Sequence, residues 1–260
     1  MKKRESIDLA IILIWPIIAT VISFLIKPKA LGSVILFLAM PSIYLSFRGK
    51  NYVKKAVLFT MAAGISIMIV LDYVAQITGT WVMYPDSILP FKLFGLVTLE
   101  IVLWALFTCF FIIMFYEYFI NKHVTKIFWG PRMKYVLMFS LVIFIIFLIF
   151  FFAFPNVFNI PYFYLSWGMV VLLIPFLFQF FKYPHTTLKF FLAAAYFFYL
   201  NFIYEVTALE LGWWSFPGAE FIGRVSILGN SFPVEEIIFW FILLALTTLS
   251  YYEFFDDDEK

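Results

Sequence analysis

The chain has 260 residues, of which 65% are hydrophobic, 23% are aromatic and only 13% are charged. A soluble core of this size cannot bury so many apolar side chains, so the composition excludes a soluble globular protein. The formal net charge of +2 at pH 7, with the charges confined to short gaps between apolar runs, gives no reason to expect a nucleic-acid partner.

Eight apolar runs are long enough to cross a membrane, since a helix needs about 20 residues to span the hydrocarbon core. The runs are continuously apolar rather than alternating, which favours helices over a β-barrel. The predicted fold is therefore all-α, a polytopic membrane helix bundle. The expected spans are residues 7–26, 30–47, 54–77, 94–119, 133–154, 161–181, 187–207 and 234–254.

The basic residues are distributed unevenly between the two sides of this bundle. Fourteen of the 18 Lys and Arg residues flank the runs on the side of the N-terminus, and cytoplasmic loops are the ones that carry an excess of Lys and Arg. We therefore expect a multi-pass protein of the cell membrane with both termini in the cytoplasm. The two longest loops, residues 78–93 and 208–233, then lie on the other face.

An internal repeat relates residues 1–130 to residues 131–260. The pattern acid-x6-Gly-x-Trp occurs at 72–81, where the acid is Asp, and again at 205–214, where it is Glu. Equivalent helices are separated by an even number of spans, so the two halves should share one orientation and be related by an axis along the membrane normal. We expect two parallel four-helix repeats with a site between them.

A second match aligns Glu100 and Trp104 with Glu236 and Trp240, near the start of a helix in each half. With a helix that starts at residue 94, Glu100 would lie about 9 Å along it. The acids of the first pattern end the preceding helices, so all four carboxyl groups should ring one pocket toward the non-cytoplasmic side. Acids within a span point to function, because each costs about 2.5–3.5 kcal/mol at the helix centre.

Each acid also has a purely structural interpretation. Glu235 and Glu236 follow Pro233 at a helix N-terminus, where carboxylates complement the helix dipole. Asp72 and Glu205 could hydrogen-bond to the neighbouring loop. We favour a functional role for Glu236, because the first half has an acid at the matched position. Both interpretations stay open for the other three acids.

A carboxyl group in such a pocket suits acid catalysis. An apolar surrounding and a second carboxyl nearby both favour the protonated form, whereas a helix N-terminus favours the anion. An acid that stays protonated near neutral pH can protonate a weakly basic substrate. Trp104 and Trp240 each follow a Glu by four residues, on the same helical face, and aromatic faces stabilise cations. We interpret Trp81 and Trp213 first as interfacial anchors.

Neither a metal nor a cofactor is expected from the sequence. His123 and His185 have no partner at metal-ligand spacing, and no glycine-rich nucleotide-binding motif occurs. The acidic residues 256–259 at the C-terminus are interpreted as a solvated tail rather than as a diphosphate-binding motif.

The acid-x6-Gly-x-Trp pattern, the loop after it and the sequence PVEE at 233–236, which opens a Phe-rich helix, together resemble the lycopene cyclase domain family. Its members are small integral-membrane carotenoid cyclases, found as heterodimers or as fused tandem domains. The resemblance covers residues 30–119 and 161–255, and PVEE is its most specific part. The first half departs from the pattern, with Val97 in place of the Pro and Leu99 in place of the first Glu.

The resemblance implies a redox-neutral cyclisation of the end groups of a linear carotenoid such as lycopene, which would enter laterally from membrane lipid. Protonation of the terminal double bond gives a tertiary cation, the neighbouring double bond closes a six-membered ring, and proton loss leaves a ring alkene. Glu236 would donate the proton, Glu235 would share or relay it, and Glu205 would be the base or would orient the pair. The candidate catalytic residues are Glu236, Glu235, Glu205, Glu100 and Asp72, and the candidate substrate-binding residues are Trp240, Trp214, Tyr204, Trp104 and Trp81. Carotenoid-pathway enzymes are the candidate protein partners.

Two other classes of function stay open. A carotenoid or isoprenoid hydratase, or a cyclase for a longer carotenoid, would begin with the same protonation, and product mass separates hydration from cyclisation. A proton-coupled transporter built from two parallel repeats would need a polar path to both sides. We expect instead that the acids cluster near one side and that the cytoplasmic half is almost wholly apolar.

Overall fold

A computed structural model describes residues 3–122 and 132–256. Within these ranges eight helices are long and apolar enough to cross a membrane, so this is a multi-pass membrane protein and the all-α prediction is confirmed. The helices are α1 (Lys3–Ile26), α2 (Ala30–Arg48), α3 (Lys50–Thr78), α4 (Leu99–Asn121), α5 (Met133–Ala153), α6 (Phe163–Lys182), α7 (Pro184–Glu210) and α8 (Glu236–Phe254). His123, residues 257–259 and the expected boundary between the repeats lie outside the described residues.

The two halves of the chain interleave in one bundle. Helix α1 packs against α7, and α5 packs against α3, so the first helix of each half lies on the third helix of the other. Hydroxyl groups on α7 bond to carbonyl oxygens on α1, as in the bond from Tyr196 Oη to Ile12 O at 3.2 Å. Aromatic edges join α3 to α5, with Tyr73 5.1 Å from Phe147 between ring centroids. The division into four-helix repeats stays a prediction.

Helices α2 and α6 each contain a π-helical segment just before or around a proline. The segments are Ile35–Ala39, ahead of Pro41, and Gly168–Leu173, ahead of Pro175. A proline has no backbone N–H and its ring collides with the carbonyl four residues earlier, and a wider turn relieves both problems.

The carbonyl groups released by these wide turns find partners on neighbouring helices. Trp15 Nε1 donates to Leu36 O at 2.7 Å, and Thr247 Oγ1 donates to Leu172 O at 2.7 Å. A transmembrane helix must satisfy its backbone inside the protein. Polar side chains such as Thr247 therefore have a structural reason to lie inside a span.

Short antiparallel strand pairs hold the loops on the side opposite the N-terminus. They are β1 (Val82–Met83) with β4 (Trp214–Ser215), β2 (Lys92–Leu93) with β3 (Val97–Thr98), and β5 (Arg224–Ile227) with β6 (Asn230–Pro233). The first pair joins the loops of the two halves. The other two are hairpins that lead directly into α4 and α8, so they set where these helices begin.

The expected start of α4 at residue 94 is wrong. Phe94 and Gly95 have positive φ angles of 52° and 77° and turn the chain between β2 and β3. Helix α4 begins only at Leu99, with the Thr98 side chain accepting a hydrogen bond at its N-terminus. Glu100 therefore lies in the first turn of α4 rather than about 9 Å along it.

The expectation that the N-terminal end of the bundle is almost wholly apolar is also wrong. Asp8 is fully buried there and accepts hydrogen bonds from Arg48, Tyr44 and Tyr118 at 2.5–2.9 Å. Glu117 is likewise buried and accepts a bond of 2.6 Å from Tyr252 Oη. A buried carboxylate is tolerated only when it is paired and hydrogen-bonded. These clusters therefore join neighbouring helices rather than open a polar path through the bundle.

Candidate active site

A cavity with about 560 Å³ of free space, its open side included, lies between the two halves, just below the loops that β1 and β4 join. We call it the acidic cavity, because Glu205 and Glu236 are the charged residues among those that line it. Seven of the ten predicted site residues line it: Trp81, Trp104, Tyr204, Glu205, Trp214, Glu236 and Trp240.

Glu236 enters this cavity from the start of α8. Strand β6 ends at Pro233, and a proline is well suited to the position just before or at the first turn of a helix. The Glu236 carboxylate is buried and accepts a hydrogen bond from the Tyr164 hydroxyl of α6. The acid is therefore held by one specific donor in an apolar surrounding.

Tyr164 was not among the residues predicted from sequence. It lies at the start of α6 between other aromatic residues, and nothing in the sequence distinguishes it from an interfacial anchor. The approach of α6 to α8 depends on Gly168, one turn further along, because a Cβ atom there would lie 2.3 Å from the Phe239 ring. Gly168 was the one signal in the sequence that could have drawn attention to this segment, and a glycine inside a helix indicates close packing rather than a catalytic residue nearby.

The acid-x6-Gly-x-Trp pattern closes on itself in each half. Trp214 Nε1 donates to Glu205 Oε1 at 2.9 Å, and Trp81 Nε1 donates to Asp72 Oδ1 at 2.7 Å. The glycine between acid and Trp ends each helix in a left-handed turn, with φ of 65° and 67°, which brings the chain back over its last turn. The pattern therefore fixes the orientation of one indole ring per half.

The structural interpretation fits both Asp72 and Glu205, but only Glu205 also has a place in the cavity. Both accept a hydrogen bond from the following loop, as the structural interpretation expects. Glu205 also lines the acidic cavity, whereas Asp72 is fully buried behind the Trp81 ring and does not. The expected ring of four carboxyl groups is therefore reduced at the cavity wall to a pair, Glu205 and Glu236.

The interpretation of Trp81 and Trp213 as interfacial anchors is wrong. Their exposed fractions are 6% and 1%. Trp213 Nε1 donates to Pro28 O at 2.8 Å and ties the second-half loop to the start of α2. Trp81 forms part of the cavity wall instead.

Glu235 and Glu100 turn away from the acidic cavity into the loops above it. Glu235 Oε1 accepts the backbone N–H of Ile222, and Glu100 Oε1 accepts that of Leu89, both at 2.7 Å. Each bond reaches back to the loop before its own helix. Because Glu100 and Glu235 make the same kind of hydrogen bond to their loops, Glu235 is the counterpart of Glu100. The sequence alignment of Glu100 with Glu236 is therefore off by one residue.

A π-helical segment explains this shift of one residue. Helix α8 is π-helical over Glu236–Leu243, and such a turn contains one more residue than an α-helical turn. Glu235 therefore corresponds to Glu100 before the wide turn, while Trp240 corresponds to Trp104 beyond it. Ile101 then takes the place of Glu236 in the first half, and both line the same cavity.

Aromatic rings cover most of the remaining wall. The Trp240 ring makes edge-on contacts with Trp104 and Trp81, at centroid distances of 5.4 and 5.9 Å. Tyr204 meets Trp214 edge-on at 5.4 Å. Asn201 Nδ2 donates to Trp240 O at 2.9 Å, which satisfies a carbonyl in the π-helical segment.

No family model, curated protein or solved structure matches this chain. The likeness to lycopene cyclases therefore depends on the residues described above.

A metal site is not apparent among the described residues, which contain no group of three His, Cys, Asp or Glu side chains able to hold an ion. Within residues 3–122 and 132–256, no Lys, Arg or His lines the acidic cavity. The chemistry available in this cavity is proton transfer by carboxyl groups beside electron-rich rings.

Proposed function

We propose that this protein is a carotenoid cyclase, which converts linear carotene end groups such as those of lycopene into rings by acid catalysis within the membrane. The observation that carries the proposal is the pair Glu205 and Glu236 in a cavity otherwise lined by aromatic, aliphatic and amide side chains. An alkene is a very weak base, so its protonation requires a carboxylic acid that is kept from water. The cation that results requires a wall without positive charge.

Glu236 is the proton donor in this proposal. The proton leaves its carboxyl group for the terminal alkene carbon, and a tertiary cation forms on the neighbouring carbon. The Tyr164 hydroxyl donates a hydrogen bond to Glu236, which stabilises the carboxylate as it develops. Preorganised donors of this kind lower the barrier because they are already oriented before the reaction.

The aromatic wall stabilises the cation before and after ring closure. A ring face can contribute about 0.5–2 kcal/mol to a cation, more where water is excluded. The indole N–H groups of Trp81 and Trp214 are bonded to carboxylates, so these rings are held in one orientation and are polarised toward greater electron density at their faces.

Proton loss from the ring completes an isomerisation in which no atom is gained or lost. Glu205 is the base, and passage of the proton from Glu205 to Glu236 restores the starting state. Glu235 and Glu100 have a positioning role, because each holds a loop over the start of its helix. The first half supplies the wall through Trp81, Trp104 and Ile101.

Expression in lycopene-accumulating cells that lack a cyclase tests the proposal. We expect monocyclic or bicyclic products with the mass of lycopene, resolved by liquid chromatography and mass spectrometry. Glu236→Gln should give no cyclic product, whereas Glu210→Gln, at an exposed carboxyl group at the end of α7, should behave as the wild type. Unchanged lycopene with wild-type protein in the membrane would refute the cyclase. A product heavier by one water would assign a hydratase.

We also propose that both termini lie in the cytoplasm of a cell membrane, because the Lys and Arg residues concentrate on that side of the bundle. The acidic cavity is then nearer the opposite face. Reporter fusions at the two termini test this orientation, and a reporter active only outside the cytoplasm at either end would reverse it.

A further inference from the structure

A second, larger cavity, with about 740 Å³ of free space including its open side, lies directly beneath the acidic cavity. Helices α3 and α4 of the first half and α6 and α8 of the second half line it. Met68, Trp104 and Trp240 line both spaces, so the two cavities meet at the Trp104 and Trp240 rings. We call this second space the apolar cavity, because none of the described residues that line it carries a charge.

The apolar cavity is deep along the helix axes. On α8 its wall runs from Trp240 to Tyr251, and the acidic cavity begins at Glu236. Glu236 and Tyr251 are 15 positions apart, which corresponds to about 22 Å at about 1.5 Å per residue. An extended chain that starts beside Glu236 can therefore continue far toward the other side of the bundle.

The lining of the apolar cavity excludes a charged ligand and suits a hydrocarbon chain. Phe59, Trp104, Trp167 and Trp240 provide flat faces, while residues such as Gly64 leave room between them. Some polar groups at the wall are already engaged, since the hydroxyls of Thr247 and Tyr251 bond to carbonyl groups of α6. An ionic group here would be desolvated without a partner.

The Thr108 hydroxyl is a buried polar group on this wall. Thr108 is 1% exposed, and its Oγ1 has no hydrogen-bond partner among the described residues. A buried donor without a partner costs about 1–3 kcal/mol, and an O–H pointed at a π system recovers part of this cost. A conjugated chain offers such a π system, whereas a saturated acyl chain does not.

We infer that the apolar cavity binds the extended polyene chain of a substrate whose reacting end group lies in the acidic cavity. The inference takes its ligand class from the proposed function. The substrate lies along α8, crosses the edge formed by Trp104 and Trp240, and is selected for a long unsaturated chain. The end group alone fills the acidic cavity, so a short isoprenoid with the same end group does not use the apolar cavity.

Binding of a long linear polyene to the purified protein in detergent tests this inference without turnover. Quenching of tryptophan fluorescence by the polyene gives a Kd. We expect saturable binding by the wild type and by Glu236→Gln. Ala105→Phe, which fills the apolar cavity, should raise the Kd at least about tenfold. Ala195→Phe, at an exposed position on α7, is the matched control and should leave the Kd unchanged.

A short isoprenoid alkene with the same end group provides the contrast. Its affinity, measured by competition, should be the same for the wild type and Ala105→Phe. Ala63→Phe on the opposite wall replaces Ala105→Phe if that variant does not fold, as judged by circular dichroism. Thr108→Val should weaken polyene binding without changing the competition by a saturated chain of equal length.

Three results would overturn the inference: an unchanged polyene Kd in the folded Ala105→Phe and Ala63→Phe variants, no saturable polyene binding by the wild type, or equal competition by the saturated chain, which would identify a lipid site. Polyene binding that depends on the apolar cavity, together with no cyclic product in cells, would refute the proposed cyclase while supporting this site. The two failures are thus distinguishable.

Discussion

Removal of the Tyr164 hydroxyl is the most informative single change. Tyr164→Phe deletes the donor to Glu236 and keeps the ring, which contacts Trp81 at a centroid distance of 5.7 Å. A hydrogen bond to a charged group contributes about 1.5–3 kcal/mol. The bond is strongest when Glu236 has given up its proton, which happens as the transition state forms. The variant should therefore destabilise the transition state by most of this energy. We expect kcat to fall about 10- to 160-fold and KM to stay within about twofold.

Initial rates of ring formation from lycopene in liposomes, at several substrate concentrations, measure both quantities. The matched control is Tyr162→Phe, two residues earlier on the same segment, where the side chain is about half exposed. That variant should retain the wild-type rate. A Tyr164→Phe rate within twofold of the wild type would show that the hydroxyl is not used. A raised KM with unchanged kcat would assign Tyr164 to substrate binding instead.

Three further changes test the rest of the site. Glu100→Gln should retain activity within about threefold, measured by product formation in cells, because its carboxylate bonds to a loop outside the acidic cavity. Gly168→Ala should lower stability by about 1–3 kcal/mol and reduce turnover, because the new Cβ would lie 2.3 Å from Phe239; thermal unfolding in detergent measures it. Asn201→Leu should cost about 1–3 kcal/mol, by the same measurement, because the Trp240 carbonyl loses its partner.

Each of these predictions can be contradicted by a defined result. Loss of cyclisation in Glu100→Gln as complete as in Glu236→Gln would restore the pairing of these two acids. For Gly168→Ala the control is Gly64→Ala, where a Cβ would meet only a leucine side-chain atom at 3.4 Å; equal effects of the two would remove the argument from close packing. Wild-type unfolding of Asn201→Leu would show that the released carbonyl has another partner.

Much of the fold follows from hydropathy, because lipid imposes one simple requirement. Every backbone group within the membrane must be satisfied inside the segment, so a long apolar run can form only a helix there. For this reason seven of the eight predicted spans agree closely with the helices. The start of α4 failed because residues 94–98 are apolar but lie in a hairpin, and hydropathy does not distinguish a buried strand from a helix end.

The candidate site was predicted in part because its parts are local in sequence. The spacing from acid to glycine to tryptophan describes one helix end and the turn after it, and the bonds from Trp214 to Glu205 and from Trp81 to Asp72 form within that unit. The ion pair between the buried Asp8 and the partly exposed Arg48 was missed, because it joins residues from two helices. Long-range pairing leaves no local pattern in a single sequence.

The amino-acid sequence alone was sufficient for the multi-pass membrane fold and the eight spans found among the described residues. The four-helix repeats and the catalytic role of Glu236 stay predictions. The sequence could not show which first-half residue lines the acidic cavity together with Glu236, because that depends on the π-helical segment of α8. This segment adds one residue to a turn, and packing stabilises it through the bond from Asn201 to the Trp240 carbonyl. Contacts between helices therefore determine that Ile101, and not Glu100, lines the acidic cavity together with Glu236.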